Sequence, residues 1–254
     1  MTKNVEADIK QIIMDEVEKL NRPDLVRRPL VAFSSAGDER YAELKQIVGE
    51  WHLTPTEMLP GAQSVISYFI PLTERVVLDP KSVPDGSLLW GEAYVVINAY
   101  FNHINDAIAQ YLTAHGFSAK TIRPTHTYDP GDLKSMWSHR SAAAIAGLGA
   151  FGLNRMLITE RGSGGRFCTV ITSAPLKTEQ ARAQNKCLYF IDGSCGLCMK
   201  ICPVDALAPD GFDKFTCQKE LNKNGEKQKG KTEYMADTCG KCISICPMAY
   251  KGES

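Results

Sequence analysis

Cys195-Gly-Leu-Cys198-Met-Lys-Ile-Cys202-Pro203 and Cys239-Gly-Lys-Cys242-Ile-Ser-Ile-Cys246-Pro247 are two copies of one pattern, C-x2-C-x3-C-P, in the last quarter of a 254-residue chain. Eight of the nine cysteines fall between Cys187 and Cys246. The C-x2-C step wraps a tight turn that points two sulfurs and several backbone N–H groups at one centre. The x3 step then starts a helix, which carries the next thiolate toward a second centre. The prolines remove an N–H and end the run.

This spacing is the tail of the bacterial ferredoxin run, C-x2-C-x2-C-x3-C-P, whose last Cys ligates the other cluster. Each copy lacks the run's first Cys, since Asp192 and Ala236 stand three residues before Cys195 and Cys239. Two [4Fe-4S] cubanes need about eight thiolates. The copies supply six, and Cys187 and Cys217 complete the set. The crossed ferredoxin logic assigns Cys187, Cys195, Cys198 and Cys246 to cluster one. Cluster two takes Cys202, Cys217, Cys239 and Cys242. Asp192 is the alternative fourth ligand of cluster one, although its oxygen is harder than iron-sulfur sites select. Zinc ribbons use paired C-x2-C with a shorter gap and have no use for the third Cys or the Pro.

Composition bounds the rest. Hydrophobic content of 44% is that of an ordinary globular protein. Lysine plus arginine equals aspartate plus glutamate, 29 each, so no general pull toward nucleic acid is expected. Ile9, Ile12, Ile13, Val17 and Leu20 recur at helical spacing among charges, which reads as an amphipathic helix and not as a signal peptide. No run reaches the ~18 apolar residues of a membrane span. Cysteine-rich and without a signal, the chain is expected in a reducing cytoplasm.

Along the chain, helices are expected over residues 1–20, 39–48 and 88–115, the last ended by Gly116. His103 and His115 read as polar-face residues of that helix. Strands are expected over 28–33, 64–70 and 117–122. Residues 71–86 carry three prolines and a glycine and read as a long loop, as do 123–131. Leu157–Thr159 and Phe167–Ser173 read as a β-hairpin with Gly162–Gly165 at its tip, and Cys168 as a structural thiol. The polar residues 177–186 read as a linker, which divides the chain into 1–180 and 181–254. Between Cys217 and Cys239, Lys219, Lys223, Lys227, Lys229 and Lys231 read as a solvated loop or a docking patch for an acidic electron donor.

Gly147, Gly149 and Gly152 match G-x-G-x-x-G, but they follow the helix-forming run Ser141–Ala146 instead of a strand. No acidic residue stands ~20 residues on to hold a ribose. The turn therefore reads either as a plain helix C-cap or as exposed backbone for a flat ligand.

The helix, the Gly147-Leu-Gly149-Ala-Phe-Gly152-Leu-Asn154 turn, the Leu157-Ile-Thr159 segment and the double cysteine module occur in one order. Over residues 55–250 that order resembles the epoxyqueuosine reductase family and its relatives, the reductive dehalogenases. The resemblance implies an α+β fold: a nitroreductase-like domain that binds cobalamin, followed by a ferredoxin-like module feeding it electrons. It places Gly147, Leu148, Gly149, Phe151, Gly152 and Asn154 on a corrinoid-contacting turn. Leu153 replaces the family's usual Lys, and Ala150 its usual aromatic. It implies a general acid near Asp132, with Asp129, Tyr128 and His139 as substitutes. Expected partners are a small-molecule or corrinoid substrate and an electron donor such as ferredoxin or flavodoxin. The chain stops eight residues after Cys246 (254 − 246), where tRNA-acting members carry a helical-repeat domain, so a tRNA substrate is not expected. A non-catalytic carrier, a corrinoid-handling protein and a flavin-linked reductase remain as alternatives.

Overall fold

The computed structural model describes residues 4–124, 128–178, 183–233 and 236–252. In chain order the elements are α1 (Val5–Lys19), β1 (Leu30–Ser35), α2 (Arg40–Ile47), α3 (Pro55–Met58), β2 (Ser64–Pro71), α4 (Glu74–Leu78) with a 3-10 turn (Asp79–Ser82), α5 (Leu88–Ala114) and β3 (Ala119–Thr121). There follow β4 (Tyr128–Asp129), β5 (Lys134–Ser135), α6 (His139–Ile145), β6 (Gly149–Phe151), β7 (Leu157–Thr159) and β8 (Gly165–Thr172). The cysteine module adds α7 (Leu188–Asp192), α8 (Leu197–Lys200), α9 (Lys214–Gln228) and α10 (Lys241–Ser244).

The main sheet is antiparallel, in the order β1-β2-β8-β3. β2 is buried along its whole length, because both of its faces are covered. Side chains alternate across a strand. Ile66, Tyr68 and Ile70 accordingly join Ile9, Ile13, Ile97, Phe101 and Ile104 of α1 and α5. On the other face Val65 meets Tyr41, Trp137, Ala142 and Ile145, while Phe69 stacks on Phe167 at 4.3 Å. β8 follows the same alternation, with Cys168 and Val170 on the first face and Phe167 and Ile171 on the second. Cys168 is buried beside Tyr68 and Asn105, and burial pushes its thiol up, which suits a structural role.

Ser87 caps α5 by accepting from the Trp90 N–H, and Gly116, at φ 82°, follows its end. α6 ends in the same manner. The Gly147 N–H donates to Ala144 O and the Leu148 N–H to Ala143 O, with Gly147 at φ 82°, a Schellman closure.

Four expectations are corrected. Residues 71–86 are not a bare loop, since Thr73 starts α4 and the 3-10 turn follows. Leu157–Thr159 does not pair with Phe167–Ser173; β7 pairs with β6, and β8 lies between β2 and β3. Gly162–Gly165 is therefore no hairpin tip. A Cβ on Gly162 would lie 2.3 Å from Ala249 O, so these glycines let the C-terminal segment approach. The lysine-rich stretch belongs largely to α9, begun by Asp213, whose carboxylate accepts from the Phe215 and Thr216 N–H groups.

The module is part of the core. Ile243 and Ala249 join the cluster built by α1 and α5. The Ser163 and Gly164 N–H groups donate to Met248 O and Ala249 O. Arg27 donates to Lys251 O and Arg161 O and lies over the Tyr250 ring. Among the described residues no helix is long and apolar enough to cross a membrane.

Candidate redox site

The structure brings the cysteines together in two groups. Cys187, Cys195, Cys198 and Cys246 line one pocket, closed by Gly152, Leu153, Asn154 and Pro247. Burial pushes the Cys246 thiol up to about 11, and the nearby Cys187, Cys198 and Cys195 act in the same direction. Burial likewise takes Cys217 to about 11, with Cys239 and Cys202 beside it. Cys242 rises to about 12, by burial first and then by Cys239, Cys217, Cys198 and Cys202. Cys242, which Cys198 also influences, lies where the two groups adjoin.

The local reasons are those of the motif. α8 and α10 are single turns begun at Gly196 and Gly240 and stopped before Pro203 and Pro247. Cys198 and Cys242 sit on those turns, Cys202 and Cys246 just past them. Asp192 turns its carboxylate to the Ser194 N–H, away from a ligand's role. Among the described residues no three His, Cys, Asp or Glu side chains converge as they would on a single metal ion. A cubane asks for something else: each thiolate takes its own iron corner, so the sulfurs stand apart. Two groups of four thiols, half-buried except for the buried Cys198, fit that demand.

A cavity of about 410 Å³ lies at the seam between sheet and module. Trp90 and Tyr94 of α5, Gly165, Arg166 and Phe167 of β8, and Cys239, Gly240 and Ile243 of the module all line it. Tyr128, His139 and Arg140 complete a further wall. Cys239 thus belongs both to the second thiol group and to the cavity.

The predicted acids separate. Tyr128 and His139 line the cavity. Asp132 and Asp129 lie outside its lining, on the β4–β5 hairpin, with Asp132 ion-paired to Lys134 at 3.0 Å and Asp129 exposed. His139 has both nitrogens engaged. The Arg123 carbonyl can only accept, so Nε2–H donates to it and the neutral Nδ1 accepts from the Thr169 hydroxyl, whose oxygen accepts from Trp137 Nε1–H. Burial holds this imidazole down at about 4, so it is neutral near pH 7. Burial raises Tyr128, with the nearby Asp237 and Tyr94 acting in the same sense.

The predicted corrinoid turn does not line this cavity. Gly147, Leu148 and Gly149 border a separate groove with Leu30 and Glu160. Gly149 is needed for close strand pairing, because a Cβ there would lie 2.4 Å from Ile158 O. Gly152 and Asn154 face the first thiol group, and Asn154 Nδ2 donates to Cys242 O at 3.1 Å. The Phe151 carbonyl accepts from Asn185 at 3.1 Å. Sequence reasoning missed Arg166 and Arg140, which line the cavity. The signal for Arg166 was a charged residue inside the otherwise uncharged, largely buried strand Gly165–Thr172.

No protein-family profile matches the chain. It is 25% identical over 211 residues to epoxyqueuosine reductase of Bacillus subtilis (strain 168), covering 78% of this chain and 50% of that protein. A solved epoxyqueuosine reductase with a tRNA-Tyr epoxyqueuosine-modified stem loop superposes with a TM-score of 0.56 and 20% identity, over 95% of this chain and 66% of that one. A reductive dehalogenase described with a mechanism for B12-dependent dehalogenation gives 0.58 and 15%, over 87% and 30%. The chain spans half the length of that curated relative. The family resemblance read from the sequence is supported: the chain is similar to epoxyqueuosine reductases in sequence and shares its fold with them and with a reductive dehalogenase. The tRNA stem loop is a partner of that neighbour.

Proposed function

We propose that the chain is an iron-sulfur oxidoreductase in which two [4Fe-4S] clusters deliver electrons to a corrinoid seated in the seam cavity. The reading extends to a nitroreductase-like domain over 1–180 and a ferredoxin-like module over 181–254, working in the cytoplasm. The observation that carries it is the shared position of Cys239, a proposed ligand of cluster two and a wall residue of the cavity. A group held there touches the electron supply with no intervening side chain.

The residues fit a broad, flat ligand. Trp90, Phe167 and Pro124 give apolar wall, and Arg166 and Tyr128 give polar edges. A bound corrinoid would supply low-potential metal chemistry, and the protein's part is positioning, access and protons. Cys187, Cys195, Cys198 and Cys246 would hold cluster one, and Cys202, Cys217, Cys239 and Cys242 cluster two. Of the four predicted acids, Tyr128 is our assignment for proton delivery. It lines the cavity, and its raised pKa keeps the phenol proton in place through neutral pH. His139, neutral and doubly hydrogen-bonded, orients the wall instead. Reduction of a small molecule, or of the corrinoid for another enzyme, both follow from this arrangement.

The test is anaerobic reconstitution with iron and sulfide, an iron count, and a hydroxocobalamin titration followed in the visible range. About eight irons per chain and a shift to the base-off spectrum support the proposal. Eight irons without a cobalamin response sink the corrinoid and favour a flavin or pure electron transfer.

A further inference from the structure

Arg140 and Arg166 both line the seam cavity, and neither forms an ion pair among the described residues. Arg166 stands on β8. Its Nε and Nη2 donate to Asn98 Oδ1 at 3.2 and 2.9 Å, and its guanidinium lies over the Tyr94 ring at 4.4 Å. Tyr94 and Asn98 are one turn apart on α5, so one helix face fixes the fork. Arg140 is fixed from the other side. Its Nη1 donates to Arg155 O at 3.0 Å and approaches Met156 Sδ at 3.2 Å. The Arg155 carbonyl is presented by a turn in which Arg155 itself takes φ 61°.

The hydrogen-bond and ring partners of these two cations are neutral, a carbonyl, an amide oxygen, a thioether and a ring face, while Asp237 acts on Arg166 and Cys242 on Arg140 through their charge. Holding Arg166 also has a cost, because Asn98 Nδ2 is left buried without a partner. The cavity lining contains one carboxylate, Asp237, against the two guanidiniums, and His139 is neutral. Among the titratable side chains of the lining other than Cys239, two guanidiniums face one carboxylate. Arg166 acts on Arg140 to disfavour its charged form. Arg166 is half-buried and Arg140 exposed, and two like charges lining one cavity are relieved when an anion joins them. Forked guanidiniums are suited to planar or tetrahedral oxyanions, which they bind through paired N–H groups.

We infer that Arg140 and Arg166 form an oxyanion site, taking the carboxylate or phosphate group of the ligand that fills the seam cavity. This names a chemical class for the reading above and rests on it for the cavity's role. The oxyanion has two sources: a small acidic substrate, or the phosphodiester of a corrinoid carrying its nucleotide loop.

The experiment uses cluster-loaded protein and isothermal titration with benzoate, phenyl phosphate and benzamide. We expect at least one anion to bind about 10-fold or more tightly than neutral benzamide. Arg140→Gln and Arg166→Gln each abolish that preference, while iron content and benzamide binding stay unchanged. Cobalamin and cobinamide, which lacks the phosphodiester, separate the sources. A loss in the variants confined to cobalamin assigns the site to the corrinoid phosphodiester. A loss confined to the aromatic anions assigns it to the substrate. Equal binding of anions and benzamide by the unmodified protein, together with equal cobalamin and cobinamide affinity, overturns the inference without needing either variant. A base-off cobalamin response alongside that result leaves the corrinoid reading standing, so the two fail separately.

Discussion

His139→Gln should flatten the acid side of the stability profile. In the folded chain burial holds the imidazole at about 4, against an ordinary value of 6.5. Arg166 adds to the depression, and the Arg123 carbonyl opposes it. The unfolded chain takes up this proton first, so stability is full above about pH 6.5 and falls as pH drops toward about 4. Between pH 7.5 and 5 the two values give a ceiling of about 2 kcal/mol. The imidazole borders a cavity that water enters, and this trims the expectation to about 1 kcal/mol. At this chain length the unsubstituted protein should lose about 2–4 °C more in Tm over that pH interval than His139→Gln loses. The assay is thermal unfolding of both proteins at the two pH values. Other groups titrate alike in both, so the difference of differences isolates His139. Parallel pH profiles would refute the assignment of a buried, neutral imidazole. A profile steeper in the variant would reverse its sign.

Three further outcomes follow. Cys187→Ser should lower iron from about eight to about four per chain, with one cluster's EPR signal lost; retention of eight irons would remove Cys187 from cluster one. Asn154→Ala deletes the donor to Cys242 O and should cost about 1–3 kcal/mol, with faster bleaching of the cluster absorbance in air. Phe69→Ala empties a fully buried site stacked on Phe167 and should cost about 3–5 kcal/mol, read in urea unfolding; a loss below 1 kcal/mol would mean that the Phe69–Phe167 stack is not a packed core contact.

Legibility differed by kind of signal. Spacing is one-dimensional, and Cys187, Cys195, Cys198 and Cys246, distant in sequence, line one pocket. α5 was readable because its apolar residues repeat every three or four positions over seven turns. β2 was readable because seven β-branched, aromatic or small residues run without a break. What failed was pairing. Leu157–Thr159 and Gly165–Thr172 are adjacent in sequence, yet β8 is claimed by β2 along eight residues, and the short β7 takes β6 instead. Gly162–Gly165 looked like turn glycines because a sequence does not show the distant strand of backbone, Met248–Tyr250, that needs the room. α9 looked like a loop because its face carries lysines. Its packing rests on Asn224, Gly225 and Gln228, polar residues that no hydrophobic period marks.

The same long-range closure explains where the chemistry sits. Residues on both sides of position 180 build one cavity, so the linker that divides the sequence does not divide the site. Cys239 reaches it only because α10 docks under the 3-10 turn: the Lys241 ammonium donates to the Pro80 and Val83 carbonyls, and Ser244 Oγ accepts from the Lys81 N–H. Arg166 reaches it from β8, which pairs there with Ile70 of β2. The glycine turn that first suggested a cofactor contact is spent elsewhere, closing α6 and bracing the first thiol group. A ligand at the seam would therefore meet Cys239 on one wall and Arg166 on another. Those two walls are brought together by Gly162 and Gly164, the residues whose missing side chains let the module close against the sheet.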